Sequence, residues 1–140
     1  MTGDLILIDT SVWLEVLPRR KGDSPLRQRV YTLLGSDLVA TTGMVRLELL
    51  GGTGTQAEYE RMGDLLAALH VLPVGDETWD IAANAGFELR RRGAAVPFTD
   101  LLIAAVAMEA GVALLHRDRH FDIIAAHLPL KVEGHVAGRP

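Results

Sequence analysis

Leu5-Ile6-Leu7-Ile8-Asp9-Thr10-Ser11-Val12-Trp13-Leu14 is the stretch from which the fold can be read. Four consecutive apolar residues end at an acid, and the hydroxyl residues behind it lead into a short helical pattern stopped before Pro18. The segment therefore predicts a strand followed by a helix. The same alternation continues outward. Ser24-Pro25 is an N-cap and first-turn pair, with Leu26, Val30, Leu33 and Leu34 at helical spacing until Gly35. Leu38 to Thr41 predicts a second strand, Met44 to Leu50 a helix stopped at Gly51-Gly52, and Gln56 to His70 an amphipathic helix leading into a strand at Val71 to Val74. Asp76 caps a helix that reaches Arg90-Arg91-Arg92 ahead of Gly93. Thr99 to Ala110 is apolar on nearly every side, as expected of a helix buried between layers. Val112 to Leu115, Phe121 to His127 and Leu130 to Val132 complete the pattern as strand, helix and strand. Short strands alternating with helices imply an α/β fold, a mostly parallel sheet with helices on both faces.

With 140 residues, 49% of them hydrophobic and 23% charged, the chain is long enough for one real core and too apolar for disorder. No repeat or linker divides it, so one domain is expected over residues 1–132 with a tail at 133–140. The longest apolar run, Leu101 to Met108, is far short of the ~20 residues a spanning helix needs. No basic residue precedes the first apolar stretch, which argues against a signal peptide, and the absence of cysteine suits a cytoplasmic protein. Fourteen Lys and Arg against eighteen Asp and Glu leave a net charge of −4, which argues against a uniformly basic coat for nucleic acid. Arg19-Arg20-Lys21 and Arg90-Arg91-Arg92 remain as local patches that suit either phosphate or helix ends.

The acids carry the chemistry. In a parallel sheet, ligands bind beyond the carboxyl ends of the strands. Asp9 ends the first strand, Asp118 follows the fourth by three residues, and Asp100 opens the buried helix. At about 100° per residue, Glu48 falls between Met44 and Val45 with Arg46 nearly opposite, so it is expected on the apolar face of its helix. An ionised carboxylate there needs a cation, a metal or dense hydrogen bonding. Together the four acids account for the whole net charge and form an oxygen-rich set suited to Mg²⁺, with Mn²⁺ accepting similar ligands. Zinc fits less well, because there is no cysteine and no HExxH spacing.

Leu5 to Trp13, Glu48-Leu49-Leu50-Gly51-Gly52, Pro97-Phe98-Thr99-Asp100-Leu101-Leu102-Ile103-Ala104 and Leu114-Leu115-His116-Arg117-Asp118-Arg119-His120-Phe121-Asp122 together resemble the PIN domain family, and more narrowly its VapC-type toxins. The resemblance runs from about residue 5 to residue 132 in family order and spacing. It implies a three-layer α/β/α sandwich and a metal-dependent endoribonuclease with Asp9, Glu48, Asp100 and Asp118 as its acidic quartet. Asp9 and Asp100 are then expected as direct metal ligands and Asp118 as a ligand directly or through water, while Glu48 orients or deprotonates the attacking water. Thr10, Ser11 and Thr99 are expected as hydrogen-bond donors behind the ligands. Arg117, Arg119 and His120 are candidate RNA contacts, and His116 is structural or touches substrate. Many relatives carry an acid where this chain has His120, which leaves the role of Asp122 open.

The same resemblance implies tRNA or other structured RNA as substrate, a VapB-type antitoxin as partner, and DNA contact only through that antitoxin. No membrane partner is expected. An Arg or Lys of the antitoxin would plug the acidic pocket while the rest of a short segment covers apolar grooves. A homodimer is also implied, in keeping with a mean hydropathy of +0.20, with residues 24–51 as the candidate interface. The rival is a non-enzymatic phosphoacceptor receiver domain, which also gathers acids around Mg²⁺ and uses a late Lys such as Lys131. It needs a phosphorylatable Asp ending the third strand, where this chain has Gly75-Asp76 in a helix cap.

Overall fold

Residues 4–17 and 23–136 are described by the structure, a computed structural model. The Arg19-Arg20-Lys21 cluster and the last four residues of the expected tail lie outside them. The elements run β1 (Ile6–Ile8), α1 (Thr10–Val16), α2 (Pro25–Gly35), β2 (Val39–Thr42), α3 (Gly43–Gly51), α4 (Gln56–Ala67), β3 (His70–Leu72), α5 (Asp76–Arg91), α6 (Phe98–Ala110), β4 (Ala113–His116), α7 (Arg119–His127) and β5 (Val132–Gly134). Side-chain caps start several helices where the sequence offered them. Asp9 caps α1, Ser24 accepts from Arg27 N ahead of Pro25, and Thr55 accepts from Glu58 N. At the other end of α6, Gly111 takes a left-handed conformation (φ 69°) that stops the helix and turns the chain into β4.

The five strands pair in the order β3-β2-β1-β4-β5, and every pairing is parallel. Consecutive residues Leu7 and Ile8, Val39 to Thr42, and Leu114 to His116 are all buried, so helices cover both faces of the three inner strands. In α6, the run from Leu101 to Ala107 is buried without a break, as its all-round apolar sequence requires. Its small residues, Ala104, Ala105 and Ala107, let the helix lie close to its neighbours.

The two edge strands are displaced from their expected positions. The helix α4 ends at Ala67 and β3 begins at His70, while β5 lies at Val132 to Gly134, pairing Leu114 with Val132 and reaching two residues into the expected tail. Edge strands bury little, so no long apolar run marks their ends. His70 and Val71 are exposed, and β5 has no fully buried residue.

Candidate metal centre and active site

Strand order determines where a crevice forms. From β1 the chain builds in one direction through β2 to β3, then crosses back through α5 and α6 to put β4 on the other side of β1. Crossovers that diverge in this way open a crevice at the carboxyl ends of β1 and β4. Asp9 follows β1 directly, and Asp118 lies just beyond β4.

Both acids are fixed by the helix starts they cap. Asp9 Oδ2 accepts from Ser11 N at 3.0 Å and from Ser11 Oγ at 2.5 Å, and Asp118 Oδ1 accepts from His120 N at 2.9 Å. Ser11 Oγ in turn accepts from Arg117 N at 2.9 Å, while Asp9 N donates to Leu115 O at 2.9 Å, so the two strand ends are tied together. Asp100, in the first turn of α6, has a side chain only 13% exposed.

The expectation of a buried Glu48 is corrected. Glu48 is exposed, because α3 buries only the narrow stripe of Val45 and Leu49 and the acid stands at its margin. Thr10 Oγ1 donates to Glu48 Oε1 at 2.8 Å and so ties α1 to α3 at this point.

Asp100 feels the charge of each of the other three acids. The carboxyl of Asp100 is pushed up to about 6, by burial first and then by the negative charges of Asp118 and Asp9; His120 partly offsets this, and Glu48 adds to it. Burial also raises Asp9 above the ordinary carboxylate value, against the pull of its bonds to Ser11. His120 stands inside this cluster rather than beside it. Its Nδ1 is 2.9 Å from Asp118 Oδ1 and 3.2 Å from Asp100 Oδ2, yet the nitrogen is buried and neither oxygen is aligned for a hydrogen bond. Asp100, Asp118 and His120 each offer a ligand atom, all within 4.8 Å of one another.

Carboxylate oxygens with one imidazole nitrogen suit a divalent cation, and the residues present fit one. An ion would satisfy the nitrogen that no hydrogen bond reaches and offset the negative charge that adds to burial in raising Asp100.

The remaining expected residues divide. Ser11 and Thr10 stand directly behind Asp9 and Glu48. Thr99 does not: it is exposed and, among the described residues, makes no side-chain hydrogen bond to the four acids. Arg119 is exposed, but Arg117 donates to Glu15 Oε2 at 3.3 Å and to His135 O at 3.2 Å, so its guanidinium is already engaged. His116 is fully buried, accepting from Asp118 N through Nδ1 at 3.1 Å, with Nε2 3.1 Å from Asp122 Oδ1. A side chain at Gly134 would meet this pair at 3.1 to 3.3 Å, so β5 approaches it closely only because that residue is glycine. His120, expected as an RNA contact, stands instead against two of the acids. An i+2 residue after a capping acid turns back toward that acid, and this is the signal that could have found it.

A family model described as PIN domain matches residues 6–126. The chain belongs to the PIN domain family. Within it the chain groups with VapC ribonucleases: Ribonuclease VapC11 of Mycobacterium tuberculosis is 36% identical over 129 residues, covering 86% of this chain and 92% of that protein. Among solved structures, VapBC2 from Rickettsia felis, bound to a DNA fragment from its promoter, superimposes with a TM-score of 0.76 at 18% identity, covering 93% of this chain and 98% of that one. VapC20 of Mycobacterium tuberculosis, described as a sarcin-ricin loop cleaving toxin, gives 0.59 at 21% identity, covering 88% and 95%. At these identities the structural likeness speaks for the PIN fold alone.

Proposed function

We propose that this PIN domain is a metal-dependent endoribonuclease that acts as the toxin of a toxin–antitoxin pair. The observation that carries this is the convergence on Asp100 of charge from Asp118, Asp9 and Glu48 at the switch between β1 and β4, with the His120 imidazole nitrogen 3.2 Å from Asp100, 2.9 Å from Asp118 and hydrogen-bonded to neither. Asp9, Asp100 and Asp118 are the metal ligands, and Mg²⁺ or Mn²⁺ is the ion. The ion supplies Lewis acidity toward the phosphate and lowers the pKa of water. Glu48, exposed and held by Thr10, would accept a proton from the attacking water as the water oxygen bonds to phosphorus, and the 3′ oxygen would leave and take a proton from solvent. Ser11 holds Asp9 while bonding the backbone beside Asp118, so it fixes the spacing of two ligands at once. Exposed Arg119 is the better candidate for an RNA phosphate than Arg117.

The receiver alternative is disfavoured by topology. β3 is an edge strand, two strands away from Asp9, and Lys131 donates to Gly111 O at 3.2 Å, ahead of β4 and not beyond it.

For the antitoxin, a groove of about 520 Å³ is lined by Trp13, Leu14, Leu17, Leu49 and Met62 together with the charged Glu48, Glu58 and Arg61. A helical segment in this groove would bring a basic side chain to the acids, and promoter DNA would be bound by the antitoxin. For a second copy of the chain, α5 and the start of α6 offer an apolar face in addition to residues 24–51, where Tyr31 and Leu47 are exposed. Trp79, Phe87 and Phe98 are 57%, 61% and 77% exposed around one cavity of about 360 Å³. Among the described residues no helix is long and apolar enough to cross a membrane, and work on RNA in the cytoplasm fits a chain without cysteine.

The test is incubation of the purified chain with total cellular RNA, with and without a chelator, and mapping of the cut ends. Discrete cuts that vanish on chelation are expected. Intact RNA in the presence of Mg²⁺ and Mn²⁺ would overturn the proposal.

A further inference from the structure

We infer that His120 is itself a ligand of the metal ion, through Nδ1, and that this nitrogen tilts the site away from Mg²⁺ toward Mn²⁺ and the later first-row ions. This rests on the proposed nuclease function and goes beyond the three-aspartate ligand set.

The spacing is that of a coordination edge. Ligand atoms about 2.1 Å from one ion, at neighbouring corners of an octahedron, lie roughly 3 Å apart. Nδ1 lies 2.9 Å from Asp118 Oδ1 and 3.2 Å from Asp100 Oδ2.

The contact has ion-pair distances but is not a hydrogen bond. If Nδ1–H were donating to either acid, that oxygen would be aligned with the N–H direction, and neither is; the atom is buried, so water does not satisfy it from outside. A buried nitrogen near two acid oxygens and bonded to neither is accounted for by a cation that all three face.

Position 120 is fixed by the backbone. Asp118 caps α7 by accepting from His120 N at 2.9 Å, so the first turn of the helix carries the imidazole back over the acids. The ring packs no competing partner onto Nδ1 among the described residues.

The chemical consequence follows from donor type. Mg²⁺ takes oxygen ligands and sheds water reluctantly, whereas first-row transition ions accept imidazole. An imidazole also contributes no negative charge, so Mg²⁺ loses more than a transition ion when nitrogen stands where a carboxylate would.

The direct test is pulsed electron paramagnetic resonance on the full chain loaded with Mn²⁺ alone, with calorimetric titration of Mn²⁺ and Mg²⁺. Wild type is expected to show nitrogen coupling to the bound Mn²⁺. His120→Asp is expected to lose that coupling and to lower the ratio of Mn²⁺ to Mg²⁺ affinity by about tenfold or more. Bound Mn²⁺ without nitrogen coupling in wild type overturns the inference whether or not the variant folds. Coupling that survives in His120→Asp, or an unchanged affinity ratio in a folded variant, overturns it as well. If RNA is still cut in a metal-dependent way in those cases, the nuclease function stands and only the role of His120 falls. A chain that binds neither ion and cuts no RNA overturns both.

Discussion

Glu133 and Asp100 are carboxylates of one small domain, and the protein treats them in opposite ways. Glu133, on the edge strand β5, accepts from Arg29 Nε and Nη2 at 3.0 Å each and lies 3.3 Å from His135 Nε2, which holds its carboxyl below the usual range. Asp100 is pushed up to about 6, by burial first and then by the charges of Asp118, Asp9 and Glu48. The first arrangement is complete in the folded chain and fastens α2 to the sheet edge. The second sets like charges around a carboxyl that burial has already raised, an arrangement that costs stability and is common at functional sites.

Three substitutions sharpen this contrast. Asp9→Asn or Asp100→Asn is expected to lower metal-dependent RNA cleavage by more than about a hundredfold while the fold is kept, since the amide preserves shape and loses the charge that holds the ion. Thr10→Val frees Glu48 and leaves the other acids alone, so a loss of about tenfold in the cleavage rate is expected, with metal affinity measured by calorimetry unchanged.

The stability effects are smaller and differ in their pH dependence. Asp100 has a raised carboxyl value, so the folded chain binds its proton more tightly than the unfolded one. Its stabilising contribution is full below about 3.8 and is lost as pH rises through about 6. Metal-free Asp100→Asn is therefore expected to melt above wild type at pH 7.5, by roughly 3–5 °C for ~1 kcal/mol after screening, and to lose that advantage near pH 4. Glu133 has a lowered value, so its contribution is present above about 4.5 and is lost as pH falls through the folded value. Glu133→Gln is expected to melt below wild type at pH 7.5, by an amount equivalent to about 0.5–1 kcal/mol, with the deficit closing in acid. Melting curves at the two pH values check both, and the same sign of change in the two variants would break the comparison.

The contrast also marks what the sequence revealed. Asp9 was legible because an apolar run ending at an acid places that acid at a strand's carboxyl end, Asp118 because it follows the fourth strand closely, and the all-apolar Leu101 to Ala107 announced a central helix that carries Asp100. Glu48 was expected on a buried face and is exposed. A helical wheel gives the direction of a side chain but not how wide a stripe its neighbours cover, and here they cover Val45 and Leu49 only. Thr99 adjoins Asp100 in sequence yet faces solvent, since successive helical residues point about 100° apart. The Arg29–Glu133 pair, separated by 104 residues, had no local signal at all.

The most direct test of the central claim is the melting temperature of the metal-free chain at pH 7.5 as Mn²⁺ or Mg²⁺ is added. Binding to the folded state raises it by mass action. Wild type and Glu133→Gln are expected to rise together as the ion fills the acid cluster, while Asp9→Asn and Asp100→Asn stay flat. A wild-type curve that does not move with either ion, or an equal rise in Asp100→Asn, would contradict the account.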